Sequence, residues 1–164
     1  MIKTYLAGPI NHKNPASFEY AKKWRKTVTE ILKKWNIQCL DPLDRVGGDS
    51  LAPELRCSLR TASHTGDLNT VRQIVGDIII PPDLKMVEES TFITLYLPLK
   101  DDYETCGTYG EATLAKYLNI PIFIVTEREN NTIPEWLTGC STAIFKCWED
   151  YYVHVMLNYH MVKI

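Results

Sequence analysis

The sequence lacks the patterns that mark the common metal and cofactor sites. None of Cys39, Cys57, Cys106, Cys140 and Cys147 forms a C-x-x-C pair, and His12, His64, His154 and His160 fall beside none of them in a zinc spacing. A metal site is therefore not expected. No G-x-x-x-x-G-K-[ST] segment is present and no G-x-G-x-x-G follows the first apolar run, which removes the usual arguments for an NTPase or a dinucleotide oxidoreductase. Neither end carries a basic run, and 18 Lys and Arg against 20 Asp and Glu leave a net charge of −2, so neither nucleic acid nor an anionic membrane is the expected partner. No leader-like segment and no bilayer-length apolar stretch is found, and an odd number of irregularly spaced cysteines reads as free thiols in a reducing compartment. These absences leave a soluble cytoplasmic protein that acts on a small molecule without a cofactor.

What is present suits one α/β domain spanning residues 1–164, since 164 residues with 45% hydrophobic content can bury one sheet but not two separate cores. The β-prone run Ile2-Lys3-Thr4-Tyr5-Leu6-Ala7 stops at Gly8-Pro9 and so opens into a loop of the kind where ligands of α/β sheets bind. Phe18, Ala21, Trp24, Val28, Ile31, Leu32 and Trp35 recur at helical spacing over 15–35, with Lys and Arg on the other, solvated face. A second strand is expected at Ile37-Gln38-Cys39-Leu40, ended by Asp41-Pro42. Residues 44–66 then show little periodicity, and the region 44–80 is expected to form a mobile lid. It carries Arg56 and Arg60, four apart, and Arg72 a little later. These arginines suit a phosphate, and equally suit ion pairs with Glu54 or Asp67.

Past Pro81-Pro82, the stretch 83–90 reads as a short helix with Asp83 near its first turn. Strands at 92–97 and 120–125, a helix over about 108–118, and a last strand at 143–146 followed by a helix over 149–160 complete an alternating pattern, with 134–164 as the C-terminal strand and helix. Such alternation implies a mainly parallel sheet of five strands. The aromatics Trp148, Tyr151, Tyr152 and Tyr159 suit either a subunit interface or packing of the last helix on the sheet.

The segment Cys106-Gly107-Thr108-Tyr109-Gly110-Glu111 follows an apolar strand and sets one carboxylate in the first turn of a helix. Unpaired N–H groups and the positive end of the dipole there favour an ionised Glu111 fit for nucleophilic attack. Thr108-x-x-Glu111 is also the pattern of a capping box, in which both side chains merely satisfy backbone donors.

Three pieces in this order, Tyr5-Leu6-Ala7-Gly8-Pro9, Asp83-Leu84 ahead of a strand, and Cys106-Gly107-Thr108-Tyr109-Gly110-Glu111-Ala112, resemble the nucleoside 2-deoxyribosyltransferase superfamily over roughly residues 1–126. The resemblance implies a flavodoxin-like, Rossmann-like three-layer sandwich. It implies an enzyme that exchanges the base of a 2′-deoxynucleoside or strips the base from a nucleoside 5′-monophosphate, with Glu111 as nucleophile and Asp83 protonating or orienting the base. Tyr5 would contact the nucleophile, Gly8, Pro9 and Ile10 would lie along the nucleoside with Gly107 and Thr108 beside it, and the chain would form a homo-oligomer. Asp83 also suits a plain helix start, and Tyr5 plain sheet packing. Two departures stand out. Thr105 occupies a position where many transferases carry a sugar-binding aspartate and the hydrolases a phosphate-binding serine, and its hydroxyl moves the expectation toward a phosphorylated substrate. Thr91 replaces another frequent aspartate and reads as structural. A nucleotide-binding module without turnover is the competing reading, because a shared fold does not secure function.

Overall fold

A computed structural model describes residues 1–10, 15–44, 53–99 and 106–160. Five strands, β1 (Ile2–Ala7), β2 (Ile37–Leu40), β3 (Phe92–Leu97), β4 (Ile122–Thr126) and β5 (Ala143–Phe145), form one sheet in the order β2-β1-β3-β4-β5. Every neighbouring pair is parallel, with Tyr5 opposite Leu40 on one side and Ile93 on the other. The central strands β3 and β4 are buried along their whole length. Their near-continuous runs of apolar residues are what a parallel strand covered on both faces requires.

Helices cover both faces. On one, Val87 of α4 (Ile80–Glu88), Ala112 and Ala115 of α5 (Cys106–Tyr117) and Leu137 of α6 (Glu135–Cys140) pack on Tyr5, Ala7, Ile93, Leu95 and Ile124. On the other, Trp24, Val28 and Leu32 of α1 (Pro15–Lys33) and Tyr151 and Val155 of α7 (Trp148–Val155) pack on Leu6, Phe92, Tyr96 and Phe123. The result is the expected three-layer, flavodoxin-like sandwich. Tyr159 lies 4.5 Å from Phe92 and Trp148 lies 5.2 Å from Tyr96, ring centre to ring centre, so packing on the sheet accounts for the C-terminal aromatics.

The helix ends follow local chemistry. Asn36 and Asn119 adopt the left-handed conformation (φ 60° and 57°) that closes α1 and α5. After α5 the Ile120 N–H returns to the Ala115 carbonyl at 2.9 Å, the bond that seals a Schellman turn. Thr91 exchanges two hydrogen bonds with the backbone of Lys3, its Oγ1 accepting at 3.1 Å and its N–H donating at 2.8 Å, which is the structural role read for it.

Two expectations need correction. The region read as aperiodic is helical from residue 53 onward apart from a turn at Gly66-Asp67: α2 (Pro53–Thr65) is followed by α3 (Leu68–Arg72), which continues through a π-helical stretch Gln73–Ile79 into α4. Leu55, Leu59 and Ala62 do recur at helical spacing, but only Ala62 is fully buried, so the apolar stripe is too thin to stand out. Pro81 and Pro82 fall inside this helical run, in the first turn of α4, rather than ahead of the helix. Residues 45–52 of the expected lid lie outside the described residues.

Candidate active site

The strand order reverses between β1 and β3: the chain steps from β1 outward to β2, then crosses back to β3. In open parallel sheets that switch leaves a crevice beyond the carboxyl ends of the two strands. Tyr5 is fully buried near the end of β1, and its hydroxyl donates to Oε1 of Glu111 at 2.7 Å. The chain therefore brings together, across the crevice, the two residues singled out at opposite ends of the motif set.

Glu111 is half-buried on α5, but the helix begins at Cys106, two residues earlier than the glycine spacing predicts. Glu111 is thus in the second turn, and Thr108 is a buried helical residue rather than an N-cap. The capping-box reading is corrected accordingly, and so is the argument from the helix dipole, whose effect fades beyond the first turn. Gly107 sits one turn before Glu111. A side-chain carbon added there would lie 3.9 Å from Oε1, so the glycine leaves the carboxylate approachable from that side.

Asp83 is 8% exposed in the first turn of α4. Val87, one turn further on, packs in the same cluster as Tyr5 and Ala112, so Asp83 occupies the α4 face turned toward β1 and α5, at the carboxyl end of the sheet.

Gly8 and Pro9 are buried directly after β1, and Ile10 is half-buried. Gly8 has φ +154°, and an added Cβ would come within 2.9 Å of the Tyr96 carbonyl oxygen and 3.1 Å of Trp24. Only glycine fits that close approach of β1 to β3.

The Arg56 guanidinium lies 5.3 Å from the Phe18 ring centre near the start of α1, Arg60 is exposed one turn later, and Arg72 donates to Asn69 Oδ1 at 3.3 Å. Asp67 caps α3 through Thr70, whose hydroxyl it accepts at 2.6 Å. Thr105 lies outside the described residues.

Sequence reasoning missed two buried arginines. Arg25, read as part of a solvated helix face, is 0% exposed and donates from Nη2 to the Gly8 carbonyl at 2.9 Å. Burial pushes its pKa down, while Asp41, then Tyr5 and Glu111, pull it back up. A signal existed: Arg25 stands on the stripe Ala21, Arg25, Val28, Leu32, at the spacing of the apolar face. Arg128 donates from Nε to the Pro98 carbonyl at 2.6 Å, and Lys146 Nζ donates to the Arg128 carbonyl at 2.6 Å, joining the exits of β3 and β4.

Among the described residues, no cluster of three His, Cys, Asp or Glu side chains could hold a metal ion. No helix among them is long and apolar enough to cross a membrane.

No protein-family model matches the chain, and no curated protein is detectably similar to it in sequence. Solved structures do match. A 2-deoxyribosyltransferase from the psychrotolerant bacterium Bacillus psychrosaccharolyticus is 18% identical, with TM-score 0.56 over 98% of this chain and 93% of that one. A conserved protein from Enterococcus faecalis is 14% identical, with TM-score 0.62 over 96% and 98% of the two chains. The CMP N-glycosidase BcmB of Clostridium botulinum is 14% identical, with TM-score 0.50 over 94% and 98%. The likeness to these structures is one of fold, the parallel α/β sandwich described above.

Proposed function

We propose that this chain is an enzyme that cleaves the N-glycosidic bond of 2′-deoxynucleosides or their 5′-monophosphates and passes the deoxyribosyl group to another base. The observation that carries the reading is the 2.7 Å hydrogen bond from Tyr5 to Glu111 at the switch point of the sheet. It holds a carboxylate in a fixed orientation beside the glycine turn where a ligand of this architecture binds.

In this reading a carboxylate oxygen of Glu111 attacks C1′ of the sugar. The C1′–N bond breaks, its electron pair goes to the base nitrogen, and Asp83 delivers the proton that neutralises the leaving base. The transition state carries positive charge on the sugar, which an anionic Glu111 stabilises before the covalent bond is complete. The resulting glycosyl ester is resolved by a nitrogen of a second base, which yields its proton to Asp83 and releases Glu111 as carboxylate. Two displacements retain configuration at C1′. In this reading Asp83 carries the proton that the departing base takes up.

Gly8, Pro9, Ile10, Gly107 and Thr108 form the walls in this reading, and Arg56, Arg60 and Thr105 would receive a 5′-phosphate. Association into a homo-oligomer belongs to the same proposal and is checked by light scattering of the purified protein. The deciding experiment is chromatography of a panel of nucleosides and 5′-monophosphates incubated with and without a second base. New nucleoside formed only with acceptor supports transfer. Base released from monophosphates without acceptor makes the enzyme a hydrolase with water in the second step. No base released from any substrate overturns the reading in favour of a binding module.

A further inference from the structure

We propose that Arg25 is a positioning residue, a buried guanidinium that ties the exit of β1 to the exit of β2 and thereby fixes the Gly8-Pro9-Ile10 wall beside Glu111. The proposal rests on the N-glycosidic reading above and goes beyond it by assigning a function to a residue of α1, on the opposite face of the sheet.

Four contacts define the clamp. Nη2 donates to the Gly8 carbonyl at 2.9 Å, and Nη1 donates to the Ala21 carbonyl at 3.2 Å, one turn back on the same helix. Nε lies 3.4 Å from Oδ1 of Asp41, the residue that follows β2, but is not aligned for a hydrogen bond. The guanidinium carbon sits 4.3 Å from the Trp24 ring centre. Asp41 Oδ1 in turn accepts from the Leu43 N–H at 2.8 Å, so the carboxylate at the far end of the clamp holds its own turn.

Core packing alone does not account for this residue. Burying a guanidinium carries a large desolvation cost, and an unbranched apolar side chain of similar volume usually does as well or better in such a position. Nor is the ion pair with Asp41 well made. What the planar fork supplies, and neither a methionine nor a lysine can, is a pair of donors in fixed directions to two carbonyls beside a carboxylate. The Gly8 carbonyl is the one acceptor in this set that belongs to the candidate site. Gly8 is thereby held from two sides, its carbonyl by Arg25 and its Cα against the Tyr96 carbonyl and Trp24. A wall set this closely can place a sugar to within the fraction of an ångström that displacement chemistry needs.

The test compares Arg25→Met, Arg25→Lys and Asp41→Asn with the unaltered protein in two assays. Hydrogen–deuterium exchange of peptides covering residues 5–10 and 40–44 reads the clamp without reference to any substrate. Base release, split into kcat and KM well below the melting temperature, reads its role in turnover. The expected result is faster exchange in both peptides in Arg25→Met, with kcat down by about a hundredfold. Arg25→Lys should stay impaired because an ammonium keeps the charge and loses the fork. Asp41→Asn should give the same pattern in weaker form, and it carries the test if Arg25→Met does not fold. Unchanged exchange at both exits would overturn the clamp. Faster exchange with normal kcat, or full activity in Arg25→Lys, would overturn its role in positioning. If the unaltered protein releases no base, the functional reading has failed, and the exchange data alone decide the clamp.

Discussion

The hydroxyl of Tyr5 lies 2.7 Å from Oε1 of Glu111, a part-buried contact made across 106 residues of sequence near the strand end. Strand β1 thus holds a carboxylate that belongs to a helix on the far side of the crevice. Glu111→Ala should lower kcat by several orders of magnitude, as loss of a nucleophile does, with little change in melting temperature. Tyr5→Phe removes a hydrogen bond to a charged group, worth about 1.5–3 kcal/mol, and should cost about tenfold to a hundredfold in kcat. Steady-state base release measures both, and a full rate in Tyr5→Phe would break the link between the contact and catalysis.

Asp83 carries a different signature. If it protonates the departing base, Asp83→Asn should slow turnover most for bases that leave poorly and least for those that leave well. A plot of log kcat against the pKa of the leaving base then steepens in the variant. Parallel lines for the two proteins would return Asp83 to the role of a helix-start residue.

Gly8→Ala tests the close approach of β1 to β3. The added methyl would meet the Tyr96 carbonyl oxygen at 2.9 Å and Trp24 at 3.1 Å, at a φ that side chains rarely adopt. Overpacking of this kind costs about 1–3 kcal/mol. Urea unfolding should show that loss, together with reduced base release from the displaced turn.

Stability should fall on the alkaline side. Burial raises Cys39 from 9.0 to about 12 and Tyr152 from 10.0 to about 12, and it carries Tyr151 well above 10.0. The unfolded chain gives up these protons near the ordinary values while the folded chain keeps them. The folded state therefore binds more protons between those two limits, and its advantage shrinks as pH rises through that window. Tyr151→Phe should flatten this slope, while at neutral pH it costs about 1 kcal/mol for the bond it shares with Thr94 at 2.5 Å. Thermal melts from about pH 8 to about pH 11 follow both effects.

Strands β1, β2 and β3 were legible to the residue because each is a dense apolar run with an abrupt stop, at Gly8-Pro9, Asp41-Pro42 and Pro98. The contact of Tyr5 with Glu111 was implied by the family resemblance, while the residues alone left plain sheet packing open for Tyr5. The start of α5 was not legible, because Gly107 reads as a turn residue and the helix takes it in nonetheless. The helices between residues 53 and 79 escaped because partial burial leaves little apolar contrast. Arg25 escaped because a charged side chain on an amphipathic helix is normally solvated, and only its carbonyl and carboxylate partners, invisible in sequence, let it go inside.

Tyr5 looks toward the α5 layer, whereas Gly8, three residues on, is gripped from the α1 layer by Arg25 and Trp24. The end of β1 is therefore held from both layers of helices. A repacking of the aromatic stack of Trp24, Tyr96 and Trp148, which backs Gly8, would register as slower chemistry as well as a lower melting point.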